Sequence, residues 1–106
     1  MATGRLGTAD LSATTNTTVY TCPASTFAVV SVSVCNRGST SATVRIAVAD
    51  AATPTSAEYL EFDSSLVAKG VLERTGIVMQ AGKLLVVYSS AASVNAVVMG
   101  IETSTA

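Results

Sequence analysis

The strong charge of this chain amounts to seven carboxylates and six cations, with no histidine. Four of the carboxylates, Glu58, Glu61, Asp63 and Glu73, form its single grouping worth weighing as chemistry. Glu61 and Asp63, two residues apart, fall on one face of an extended segment at about 7 Å. A pair at that spacing can hold a cation or serve as the carboxylate pair of a hydrolase. The more ordinary expectation is a solvated strand face whose carboxylates meet Lys69 or Arg74 on a neighbouring strand. Calcium needs about six to eight oxygen ligands, and no loop here carries that acidic density. Without histidine the commonest general base and the Ser-His-Asp arrangement are both missing. Cys22 and Cys35 lack the further Cys or His that a zinc site needs. The Gly-containing turns at Arg37-Gly38, Lys69-Gly70 and Ala81-Gly82 lack both the spacing and the following helix of a phosphate loop, so they are expected to supply positive φ in turns. The chain therefore reads as a non-enzyme with no cofactor and no metal site.

The elements that must carry these residues are strands. Val, Ile and Thr make up 33 of the 106 residues, and they recur with the period of two that a pleated, half-buried strand requires. In 28–36, Val30, Val32 and Val34 share one face and Ser31, Ser33 and Cys35 the other. In 41–50, Ala42, Val44, Ile46 and Val48 point inward and Thr43, Arg45 and Ala47 outward. The Gly-containing connection from Asn36 to Thr40 has hairpin length, so these two runs are expected to pair as a hairpin. Further strands are expected over 17–22, 58–63, 71–79, 83–89 and 94–102, with Gly76 marking a bulge or bend. Pairing of the first of these with 28–36 would hold Cys22 and Cys35 about 25 Å apart, against about 6 Å in a disulfide. Both are expected as free, semi-buried thiols, and a bridge requires that the two strands do not pair. The five aromatics, Tyr20, Phe27, Tyr59, Phe62 and Tyr88, are expected to fill the core.

Seven to eight short strands with regular turn signals describe an all-β chain, a single antiparallel β-sandwich of jelly-roll or immunoglobulin-like type. Residues 17–102 form the sandwich, 1–16 an N-terminal arm or edge segment with Leu6 and Leu11 as its large apolar residues, and 103–106 a C-terminal tail.

Charged residues are 12% of the chain, about half the usual share, so Ser, Thr and Ala must build much of the surface. Such a surface suits close packing against other proteins. The six cations are scattered, which argues against nucleic acid as a partner. The longest apolar run, Leu84 to Tyr88, is far short of a membrane-spanning helix. The first residues lack the layout of a secretory leader, so use without export is expected. The sequon at Asn16 is then a chance match. The candidate partner-binding residues are Leu6 and Leu11 in the arm and Arg45 on the outward face of its strand.

Several stretches together resemble small virion proteins of tailed bacteriophages: TVYTCPAST (18–26), VSVSVCNRG (30–38), SATVRIAVA (41–49), ATPTSAEYLEFD (52–63), LERTGI (72–77) and AGKLLVVYS (81–89). The resemblance spans roughly residues 17–102 and brings no catalytic residue with it. It implies a β-sandwich decoration or cement protein on the capsid surface. Its partners would be the major capsid protein and copies of itself on a symmetric lattice, and its place the virion after synthesis in the host cytoplasm. The alternative is a tail, baseplate or fibre module that binds a receptor or glycan. That module would present a solvent-facing Tyr59 or Tyr88 beside acidic residues.

Overall fold

The computed structural model describes residues 2–105. Eight strands follow in order: β1 (Thr3–Leu11), β2 (Thr15–Thr21), β3 (Thr26–Asn36), β4 (Ala42–Ala49), β5 (Tyr59–Leu66), β6 (Val71–Met79), β7 (Leu84–Ser89) and β8 (Val94–Ser104), with one 3₁₀ turn at Ser56–Glu58. They form two antiparallel four-stranded sheets, ordered β1-β8-β3-β6 and β2-β7-β4-β5. These are called the β1 sheet and the β2 sheet below.

Pairing is nested. The first strand pairs with the last, β2 with β7, β3 with β6, and β4 with β5, so the chain is one long antiparallel ribbon. Rolling the ribbon up adds the β3–β8 and β4–β7 ladders. This is the jelly-roll arrangement of the sandwich, and it decides between the two topologies that the sequence left open.

The nesting overturns the expected hairpins. β3 and β4 lie in opposite sheets, as do β2 and β3. The physical reason sits at Asn36, whose side chain is 1% exposed. Its Oδ1 accepts from the Gly38 amide, and its Nδ2 donates to the carbonyls of Thr40 and of Leu66 in the other sheet. That side chain turns the connection across the sandwich instead of back along β3. Cys22, just past β2, and Cys35 of β3 are free, although β2 and β3 do not pair. Cys22 is fully buried, with its thiol on the carbonyls of Thr26 and Met79, and Cys35 is partly exposed.

The interior is aliphatic. Val30, Val32 and Val34 of β3, Val44 and Ile46 of β4, Leu85 and Val87 of β7, and Val94, Ala96 and Val98 of β8 all lie within it. Each fully buried Val or Leu contributes about 1.5–3 kcal/mol against exposure. Val48 packs on this core from the margin, as the alternation in β4 predicts. Ala47 and Ala49 are also buried but stand outside the core cluster, on the outer face of the sheet. Tyr20 is the one aromatic in the core cluster; Phe27, Tyr59, Phe62 and Tyr88 are not part of it. The expectation that aromatics fill the core therefore fails: small branched side chains fill the space between these sheets.

Residues 3–11 are an edge strand of the β1 sheet and not a free arm. Leu11 is 2% exposed within the core, and Leu6 packs against it. Thr103 and Ser104, expected in a tail, pair with Phe27 and Thr26. Met1 and Ala106, the ends of those two segments, lie outside the described residues. Gly76, at φ 69°, sits in a bulge where β6 slips register against β3. Of the three turn glycines, only Gly82 has positive φ; at 69–70 it is Lys69 that takes φ 62°, while a side chain on Gly70 would strike Val67.

Candidate functional site on the outer face of the beta2 sheet

Arg45 sits in β4 between two core residues, Val44 and Ile46, so its own side chain is directed outward. Tyr88 of β7 lies directly opposite it, and Asn16 of β2 lies opposite Tyr88. On the other side the ladder is broken. Ile46 pairs with Glu61 and Val44 with Ser64, so Phe62 and Asp63 together face Arg45. This is a β-bulge, and Asp63 accommodates it at φ 53°, a conformation that Asp tolerates better than most residues.

The bulge delivers two groups to one cation. The Arg45 guanidinium carbon lies 4.2 Å from the Phe62 ring centroid and 4.5 Å from that of Tyr88. Arg45 Nε donates to Asp63 Oδ1 at 2.6 Å and Nη2 to Oδ2 at 3.4 Å. The Tyr59 ring meets Phe62 edge-on at 4.9 Å and 80°. Hydrogen bonding to Asp63 leads the interactions that raise the guanidinium pKa further. Stacked on two rings and neutralised by its own carboxylate, this cation acts as a clamp that fixes the rings rather than as a free anion receptor. Phe62 remains 57% exposed. The phenol oxygens of Tyr59 and Tyr88 have no hydrogen-bond partner among the described residues, which leaves them available to a ligand.

Chemically this is a rigid aromatic surface with polar tips, built of the residue types that dominate binding hot spots. Its side chains lose little conformational freedom on binding because intramolecular contacts already hold them.

Among the described residues no carboxylate cluster is assembled, and Glu61 meets Arg74 as the more ordinary expectation has it. Glu61 Oε2 accepts from Arg74 at 2.8 Å and its Oε1 from the Ser64 hydroxyl at 2.6 Å, while Asp63 turns to Arg45. Glu58 caps its own turn through the amides of Thr55 and Asp50, and Glu73 has no ion-pair partner among the described residues. The bulge that builds the aromatic site is what separates Glu61 from Asp63. Among the described residues no group of three or more Cys, Asp or Glu is placed to hold a metal ion. An open depression of about 480 Å³ is lined by Thr8, Ala9, Asp10, Arg37 and Asn95 to Val97, and its two ionisable groups neutralise each other at 2.8 Å.

Of the residues singled out from sequence, Arg45, Asp63, Tyr59 and Tyr88 lie at this site, and Leu6 and Leu11 are engaged in the fold itself. Phe62 and Asp63 as partners of Arg45 were missed. The signal for them was weak: a break in alternation at Glu61-Phe62-Asp63-Ser64-Ser65, where three polar residues follow one another. Comparison with known proteins matches no family model, no curated protein and no solved structure.

Proposed function

We propose that this chain is a structural virion protein of a tailed bacteriophage. It decorates the outer capsid surface, contacts the major capsid protein and stabilises the shell by binding, without catalysis, cofactor or metal. The observation that carries the reading is the clamped Tyr59–Phe62–Arg45–Tyr88 surface, which has hot-spot composition in a chain otherwise poor in charge. The sequence resemblance adds the phage setting. Many weak contacts of this kind on a symmetric lattice combine through avidity.

The contact is assigned to the β2-sheet face with Arg45 and not to Leu6 and Leu11, whose side chains are already engaged in the fold. The test is binding of purified protein to expanded shells stripped of it. Wild type is expected to restore shell stability, and Phe62→Ala and Arg45→Ala to lose that binding while keeping the fold. Wild-type affinity in both variants would overturn the assignment, and a tail-scale rather than shell-scale copy number per virion would overturn the location.

A second reading has its own support. Exposed Phe62, with the two tyrosines and Asp63 beside it, offers aromatic and polar groups that a sugar ring can engage, as a fibre module binding a host glycan would need. Binding of the isolated protein to host cells, abolished by Phe62→Ala, would favour it.

A further inference from the structure

The opposite face of the molecule, the outside of the β1 sheet, carries a different surface. Thr3 of β1, Ile101 of β8, Val29 of β3 and Val78 of β6 form one continuous row across the four strands. Ile101 is 57%, Val29 42% and Val78 69% exposed, and Met99 and Phe27 in the flanking rows are also exposed. Soluble monomers seldom leave so continuous an apolar strip open to water.

Charge says what covers it. Among the described residues every charged side chain but two has an ion-pair or hydrogen-bond partner. The exceptions are Arg5 and Glu73. Both are exposed on this same face, Arg5 on edge strand β1 beside Met99 and Glu73 on edge strand β6 beside Ser33. They stand at opposite edges, three strand spacings or about 14 Å apart, too far to meet within one chain.

We propose that the outer face of the β1 sheet is a two-fold interface between copies of this chain. Two in-plane axes can stack the face on a second copy. An axis across the strands lays β1 on its own equivalent and β6 on its own, so that Arg5 and Glu73 stay on opposite edges of the pair. An axis along the strands, between β8 and β3, lays β1 on the β6 of the other copy. Ile101 then meets Val29 of the second copy, twice, at the centre. Arg5 comes within one residue pair, about 7 Å along the strand, of Glu73 of the second copy, a gap that the two side chains span; Asp10, one pair away on the other side, is already neutralised by Arg37. Only this second arrangement is self-complementary in both shape and charge. Four strands by about eight residues offer a footprint of about 500 Å² per copy before side-chain corrugation, near the lower limit for a specific dimer.

The dimer does not depend on the shell-binding reading; only its use does. Joined through their β1 sheets, two copies present their aromatic faces on opposite outer sides, so the pair is a bivalent clamp.

Sedimentation equilibrium of the purified chain, 10.7 kDa as a monomer, tests the interface. Wild type is expected to sediment as a dimer, and Arg5→Glu and Glu73→Arg each to weaken association at least about tenfold. The double swap R5E/E73R is expected to restore association to within about threefold, with far-UV circular dichroism unchanged throughout. A wild type still monomeric at about 1 mM would overturn the proposal. So would a dimer indifferent to the single swaps, or one that the double swap fails to rescue. Loss of shell binding with the dimer intact would instead count against the proposed function and leave this interface standing.

Discussion

The two outer faces of this sandwich handle charge in opposite ways. On the β2 sheet Arg45 is neutralised within the chain by Asp63 and roofed by Phe62 and Tyr88, so the face is finished and rigid before any partner arrives. On the β1 sheet the apolar row is bare and its two flanking charges, Arg5 and Glu73, have no partner among the described residues. A face whose charges are satisfied internally can meet a foreign surface without specifying its electrostatics. A face with opposite unpaired charges at its two edges is complementary to itself. On the two proposals above, the difference separates a surface for another protein from a surface for another copy.

The largest effect expected is one that should not discriminate between the faces. Leu11 sits in the core cluster, and Leu11→Ala is expected to lower unfolding free energy by about 3 kcal/mol, read from chemical denaturation. Both kinds of association should then weaken only in proportion to the unfolded fraction; a selective loss of shell binding would return Leu11 to the contact. Next in size is the discriminating pair. Phe62→Ala is expected to cost about 2 kcal/mol, or roughly thirtyfold, in shell affinity and nothing in dimerisation. Ile101→Lys is expected to do the reverse. Calorimetry for one and sedimentation for the other read the cross, and identical responses of both associations to either variant would collapse the distinction.

How far these faces could be read from the sequence follows from the kind of pairing each feature needs. The alternation of Val30, Val32 and Val34, and of Val44 and Ile46, is a local signal, and the structure buries those residues. Gly76 announced its bulge because a glycine inside a strand pattern has few other uses. The partnering of strands was not local. In a nested ribbon β1 finds β8 and β3 finds β6, so nearest-neighbour hairpin logic misassigns every connection except the one between β4 and β5. Arg45 was legible as outward-facing, but its clamp needed both a non-local ladder to Tyr88 and a bulge in β5. The row Thr3–Ile101–Val29–Val78 is assembled from four strands and has no sequence signature.

A smaller effect separates the two jobs of Asp63. Asp63→Asn keeps a side chain that tolerates φ 53° and removes only the charge on Arg45, so stability is expected to fall by no more than about 1 kcal/mol. Asp63→Ala adds the cost of a left-handed alanine, a further 1 kcal/mol or so. If the ion pair holds the guanidinium between its rings, shell affinity should fall in both variants alike, while stability should fall further in the alanine. Unchanged affinity in the asparagine variant would mean that stacking suffices to fix the rings.

The smallest effect concerns the seam that joins the two faces. Tyr20 of the β2 sheet donates to Glu102 Oε2 of the β1 sheet at 2.6 Å, and the Ala2 amide donates to Oε1 at 3.1 Å. The Tyr20 hydrogen bond holds the Glu102 carboxyl below its ordinary value of 4.5, and burial followed by the Glu102 bond lifts the Tyr20 phenol well above 10.0. For Glu102 the folded state favours the charged form. Its contribution is therefore complete above the ordinary carboxylate value and drains away as pH falls through the lower folded-state value. For Tyr20 the folded state favours the neutral form, so that contribution is complete below 10 and is lost as pH rises beyond it. Glu102→Gln should flatten the acid limb of stability against pH between about pH 5 and pH 2. Tyr20→Phe should flatten both limbs, since it removes the phenol and the donor together. Because the seam joins the two sheets and touches neither proposed contact surface, neither variant should change the affinity of either face near neutral pH. A Glu102→Gln chain with an undiminished acid limb would show that this seam does not set the acid sensitivity of the fold.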